Sequence, residues 1–208
     1  MSEIRTARFA APDEAREKYD AIIPAYQAAF AAEPWYEVSK CGGCSSGYSR
    51  QNPGDICQAC GSATGDEAYT EQELTEKFDA IGKTRPTCWY IEETPAGLAL
   101  AAVAWTADPV QIAAEKYPGS PEMAEWLKQK YAPNTAPNSE ILWLDEVFAD
   151  RQISRRNNLA NFRPMVYGFS NRLDQTKVAY RTIAPAMTRV AMRDFGDDAT
   201  IDKAKSDV

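Results

Sequence analysis

Histidine is absent from all 208 residues of the chain. A Ser-His or Cys-His mechanism is therefore excluded, and proton transfer falls to carboxylates, tyrosines, lysine or water. The usual ligand of an open catalytic zinc is missing too. Long apolar runs are also lacking: no stretch approaches the roughly eighteen residues that would cross a bilayer. The first twenty residues, MSEIRTARFAAPDEAREKYD, show no basic segment followed by an apolar core. These absences predict a soluble, cytoplasmic protein with no membrane partner. Positive charge is scarce overall, with a net charge of −7, which disfavours general nucleic-acid binding. It is unevenly spread, however: residues 150–193 hold nine Lys and Arg against two Asp, a local +7 that leaves −14 for the remainder. A basic segment in an acidic chain points to a focused anion site, suited to a small phosphorylated ligand; a solvated basic face is the plain alternative.

What is present most distinctively is cysteine in pairs. Cys41-Gly-Gly-Cys44 and Cys57-Gln-Ala-Cys60 have the same spacing and lie twelve residues apart. Two such turns supply the four soft ligands of a closed tetrahedral zinc site, and Gly42, Gly43 and Gly61 give the turns backbone freedom. A disulfide framework or a redox CxxC are the alternatives, the first at odds with a cytoplasmic setting. A closed set of four thiolates leaves no position for water or substrate, so the metal is predicted to be structural. Cys88 lies in an apolar run and is predicted to be a small core residue.

Length and a 44% hydrophobic content fit one domain over 1–208, with a zinc-binding insertion over 40–64 and a lid-like insertion over 107–140. A strand is predicted at 4–9, then a helix carrying Tyr19, Ile22, Ile23, Tyr26 and Phe30 that Pro24 splits or kinks. Thr70-Glu71-Gln72-Glu73 is a capping box opening a helix with Leu74, Phe78 and Ile81, which Gly82 ends. Strands at 87–93 and 97–107 form a hairpin; a short helix is predicted near 121–131, a strand at 141–149, and a helix with Leu159, Phe162, Val166, Phe169 and Leu173. If that helix starts at Leu159, Pro164 falls inside it, so a later start with Asn161 as cap is the other option. A strand at 177–183, a last helix from Pro185 and a short strand near 199–201 complete the chain. Alternation of strand and helix here implies a βαβ crossover with two parallel strands.

This order, with LDEVFADRQISRRNNLANF between the third-last strand and its helix, resembles the GNAT family of N-acetyltransferases over nearly the whole chain. The resemblance implies an α/β fold with a mixed sheet, and a reaction in which an acetyl or small acyl group passes from acetyl-CoA to an amine, on a small molecule or a protein. Arg155, Arg156, Asn157, Asn158, Leu159 and Ala160 overlie the family's diphosphate loop, with Asn158 where the family has glycine. Asparagine is among the residues that tolerate φ > 0, and arginines suit phosphate oxygens. Val147, Phe148 and Ala149 match the strand end that meets the pantetheine arm. Asp145 and Glu146, predicted on opposite faces of that strand, are the candidate bases, Glu146 first. The family's tyrosine in the last helix is missing, and Tyr180 is one candidate substitute. Trp35, Tyr36 and Glu37 resemble the loop bordering the acceptor entrance, or else close the core beneath the cysteine segment. Two other readings compete. One is a GNAT-shaped binding or adaptor protein without catalysis. The other is a zinc-ribbon protein associated with nucleic acid, which fits poorly with Arg50 and Asp55 as the only charges between 41 and 60.

Overall fold

The computed structural model describes residues 5–44, 47–117, 120–131, 140–149, 161–175, 177–180 and 189. β1 (Thr6–Ala10) leads into α1 (Pro12–Arg16) and α2 (Tyr19–Ala31). The break between these helices falls at Glu17-Lys18, and Pro24, predicted to kink or split the helix, lies inside an unsplit α2. An interior proline costs about 3 kcal/mol. Burial of Ile22, Ile23 and Phe30 along one stripe, at roughly 1.5–3 kcal/mol each, offsets it.

β2 (Ser39–Lys40) and β3 (Tyr48–Ser49) form a small separate ribbon, followed by α3 (Glu71–Thr84). The predicted capping box is present: the Glu73 N–H donates to Thr70 Oγ1 at 3.2 Å, and the Thr70 N–H donates to Glu73 Oε2 at 3.1 Å. Gly82 does not end α3, which continues to Thr84. Its role is close approach: a Cβ at position 82 would lie 2.7 Å from Pro12 Cβ, so the missing side chain lets α1 close on α3.

β4 (Thr87–Thr94) and β5 (Gly97–Ala107) make the predicted hairpin. An additional helix, α4 (Pro109–Lys116), begins where Asp108 Oδ1 accepts from the Val110 N–H at 2.7 Å and Pro109 occupies the first turn. Then come α5 (Pro121–Tyr131), β6 (Ile141–Ala149), α6 (Phe162–Leu173) and β7 (Val178–Tyr180). The remainder of the strand expected at 177–183 and the final helix and strand lie outside the described residues.

Five strands form one sheet in the order β1-β4-β5-β6-β7. All neighbours are antiparallel except β6 and β7, whose parallel pairing is the predicted crossover. On one face, Trp89, Ile91, Ala101, Val103 and Phe148 pack against Ile22, Tyr26, Leu74 and Phe78. Trp105, Ile141 and Trp143 extend that face beneath Ile112 and Ala113 of α4 and Leu127 of α5. The opposite face, with Tyr90, Leu100, Ala102, Leu142 and Leu144, is covered by Phe162, Met165, Val166 and Phe169 of α6. The sheet is thus the partition between two apolar layers. Cys88 is buried in the second layer, and burial pushes its thiol up to about 11, as befits a core residue. No helix among the described residues is long and apolar enough to cross a membrane.

Candidate active site

The centre of the site is an irregularity in β6. Val103 pairs with Glu146 and Ala104 with Leu144, so Asp145 is the extra residue of a β-bulge. Strict alternation places Asp145 and Glu146 on opposite faces, and this expectation is overturned. The inserted residue resets the alternation: Ile141 and Trp143 face α4 and α5, and after the bulge Phe148 returns to that side, joining the core around α2 and α3. Asp145 Oδ1 accepts from Trp143 Nε1 at 3.0 Å, and Glu146 meets side chains of α2 and α3. Both carboxylates therefore share one face.

Glu146 Oε1 accepts from Lys77 Nζ at 2.5 Å and from the Tyr26 hydroxyl at 3.2 Å, while Lys77 also donates to the Tyr26 oxygen at 3.1 Å. The Glu146 side chain is 14% exposed and that of Lys77 33%. Burial raises the Glu146 carboxyl above the ordinary glutamate range; Lys77 pulls it back and the Asp145 charge adds to the rise. Asp145, 3% exposed, is paired with Lys116. Burial opposes its charge too, yet the ammonium groups of Lys116 and Lys77 prevail and hold it below the usual range. The surroundings thus push adjacent carboxyls in opposite directions, Asp145 below the ordinary aspartate range and Glu146 above the glutamate range. For Lys77, burial is outweighed by Glu146 and Asp145, which keep it an ammonium. Burial and then the Glu146 charge push the Tyr26 phenol well up, so it acts as a hydrogen-bond donor.

Sequence reasoning took Tyr26 for a core residue and missed Lys77. A signal existed: Lys77 lies three residues after Leu74 and four before Ile81, on the apolar stripe of α3 itself, where a lysine needs a partner.

The other expected site residues are dispersed. Tyr180 pairs beside Leu144 and packs toward Phe162 on the α6 face, so the sheet separates it from Glu146. Val147 and Ala149 also pack on that face, whereas Phe148 meets Tyr26 edge-on at 5.1 Å. Arg155, Arg156, Asn157, Asn158, Leu159 and Ala160 lie outside the described residues. Asn161 occupies the cap position of α6, but its side chain does not cap the helix; Nδ2 turns to Glu92 Oε2 at 3.4 Å. Trp35 packs on Phe30 at 5.3 Å, and Tyr36, at φ 54°, lies 4.5 Å beneath the Arg50 guanidinium. Glu37 accepts from the Tyr69 hydroxyl, and the Tyr69 ring stands edge-on to Tyr26 at 5.2 Å. Trp35 to Glu37 thus stand between the cysteine segment and the Tyr26 corner of the carboxylate site.

The four paired cysteines converge. Sγ atoms of Cys41, Cys44, Cys57 and Cys60 all lie within 4.8 Å of one another, with Cys41 to Cys60 at 3.4 Å and Cys44 to Cys57 at 3.5 Å. A zinc with four sulfurs at about 2.3 Å has S···S edges of about 3.8 Å, so the cluster has the size of such a site. The turns direct hydrogen-bond donors to sulfur: the Ser49 hydroxyl and the backbone N–H groups of Cys60 and Ala59 bring Cys57 down to about 6. Gly43 is required by closeness, since a Cβ there would stand 2.8 Å from Cys60 Sγ. The module is fastened to α3 by an ion pair between Lys40 and Glu73.

No protein-family model matches the sequence, and no curated protein sequence matches it. Solved structures do match the fold. A mosquito arylalkylamine N-acetyltransferase-like protein aligns over 91% of this chain and 82% of its own, with a TM-score of 0.53 at 9% identity. An aminoglycoside N-acetyltransferase in complex with CoA aligns over 97% and 93%, at 0.51 and 9%. A possible acetyltransferase from Clostridium difficile 630 aligns over 96% and 93%, at 0.50 and 11%. The chain has the mixed α/β fold of GNAT acetyltransferases, with a four-cysteine cluster set into it.

Proposed function

We propose that the chain is a CoA-dependent N-acyltransferase that moves an acetyl or other small acyl group from acetyl-CoA to an amine, and that the four cysteines hold a structural zinc. The observation that carries the first part is the fold, shared with N-acetyltransferases over more than nine-tenths of the chain. Glu146, which Lys77 and Tyr26 hold on the α2–α3 face, is the carboxylate we assign to the proton transfer. The neutral amine attacks the thioester carbonyl; a C–N bond forms and the C–S bond breaks. The proton lost by nitrogen passes to Glu146, directly or through one water, and the departing thiolate takes up a proton from solvent. Asp145 stays ionised and shapes the potential around Glu146. Arg155 and Arg156, with the backbone of Asn157, Asn158, Leu159 and Ala160, would hold the diphosphate of CoA, and Val147, Phe148 and Ala149 would meet its pantetheine arm. Trp35, Tyr36 and Glu37 would border the acceptor entrance. The zinc, closed off by four thiolates, would fix the neighbouring segment and take no part in the chemistry.

Calorimetry with acetyl-CoA and CoA tests the reading. Binding that weakens at least tenfold in the Arg155→Ala, Arg156→Ala double variant, together with CoA thiol release in the presence of an amine panel, supports it. Absence of binding at high micromolar ligand would sink it. A catalytically inactive binding protein is the second reading, favoured by Tyr180 lying across the sheet from Glu146. Tight acetyl-CoA binding with no thiol release for any amine would select it.

A further inference from the structure

We propose that Lys77 is a positioning residue for Glu146, its ammonium paired with the carboxylate and holding it aimed between α2 and α3. The inference rests on the acyltransferase reading for its catalytic consequence, but not for its physical content. Glu146 reaches the α2–α3 face only because of the Asp145 bulge, and there it is enclosed. A carboxyl so buried, next to a second carboxylate one residue away, faces two pressures toward the neutral form. Neutral, it would be a poor proton acceptor.

The charges that face it decide the outcome. From α2 comes Tyr26, which donates a hydrogen bond and carries no charge; from α3 comes Lys77; from α4, Lys116; and from β6 itself, Asp145. Tyr48, from β3 inside the cysteine module, and Tyr69, from the segment after it, stand behind Tyr26 and Lys77. Lys116 is spent on Asp145, so among the described residues Lys77 is the cation in direct contact with Glu146. Its ammonium also lies over the faces of the Tyr26 and Phe78 rings, 5.0 and 5.9 Å from their centroids, which fixes its position between α2 and α3. Lys77 and Tyr26 both engage Oε1, an arrangement that fixes the orientation of the carboxylate. During transfer Lys77 would keep its proton throughout; the proton from the amine ends on Glu146.

The direct test is a carboxyl-carbon NMR titration of glutamate-labelled protein, with Glu146→Gln assigning the resonance. Lys77→Met should move the Glu146 titration upward by about one pH unit or more, since loss of an adjacent opposite charge has that size of effect. Lys77→Arg should leave it near the wild-type position. The acid limb of kcat/KM for an amine acceptor should move in parallel in Lys77→Met, with the KM for acetyl-CoA unchanged. A Glu146 resonance that titrates at the same pH with and without Lys77 overturns the inference, whatever the activity. A shifted titration with an unshifted acid limb overturns its catalytic half. A shifted titration in a protein that transfers acetyl to no amine upholds Lys77 and refutes the acyltransferase reading instead. Lys77→Gln gives the same readouts if the methionine variant does not fold.

Discussion

Asp145 and Glu146 are neighbours with nearly the same chemistry, and their surroundings pull them apart. Asp145 has Lys116 and the Trp143 indole; Glu146 has a lysine shared with a phenol, and there burial outweighs the lysine. If Glu146 is the base, as proposed, Glu146→Gln should reduce kcat by about 10²- to 10³-fold and abolish the acid limb of the pH profile. Asp145 makes the opposite contribution to stability. Because its folded-state carboxyl is held below the ordinary range, it adds stability that is complete above that range and disappears as pH falls through the lowered value. Melting temperatures of Asp145→Asn from pH 6 downward should therefore fall less steeply than those of the wild type. Lys116→Met would strand Asp145 as a buried, unpaired charge, and urea denaturation should show a loss on the order of 3 kcal/mol. The identities of both carboxylates were legible in the sequence. Their common face was not, because a bulge depends on the partner strand β5 and leaves no local mark in β6.

Most elements were legible because their signals are local. The hairpin of β4 and β5 shows as two apolar runs around Thr94-Pro95-Ala96, and the start of α3 as Thr70 three residues before Glu73. Thr70→Ala should cost about 1 kcal/mol by denaturation, with Glu73 losing its reciprocal partner. Gly82 shows where local rules stop. Alanine there raises helix propensity by about 1 kcal/mol. The new Cβ, 2.7 Å from a rigid proline ring, forces α1 away from α3 at a cost of about 1–3 kcal/mol, so the variant should be less stable than wild type by chemical denaturation. Glycine inside α3 resembles a helix stop in sequence because the chain does not announce that Pro12 will pack against it. At Pro24 the helix does not split: the burial of its stripe on the sheet outweighs the lost hydrogen bond.

At the scale of the molecule, the cysteine module and the carboxylate site meet through aromatic rings. Tyr48 lies 5.4 Å from Tyr69, Tyr69 stands edge-on to Tyr26, and Tyr26 donates to Glu146. Metal analysis of the purified protein should find about one zinc per chain, and chelation should lower the melting temperature, because a structural zinc contributes directly to folding. A metal-free protein with an unchanged melting temperature would refute the structural zinc. In Cys44→Ser protein that stays folded, the acceptor KM should change more than the affinity for CoA, since the module borders Trp35, Tyr36 and Glu37 and lies at the Tyr26 end of the site. The sequence by itself determined the pairing of the four cysteines, the exclusion of histidine chemistry, and most of the order of the larger strands and helices among the described residues, α4 and the β2–β3 ribbon excepted. Those follow from residue type and from spacing along the chain. Tertiary structure alone decided that Asp145 and Glu146 share a face, that Lys77 and Tyr26 close on Glu146, and that Tyr180 is shut off behind the sheet. Each of these depends on strand register and on helices far apart in the chain being brought together, and a buried charge acquires its chemistry only from the groups that surround it.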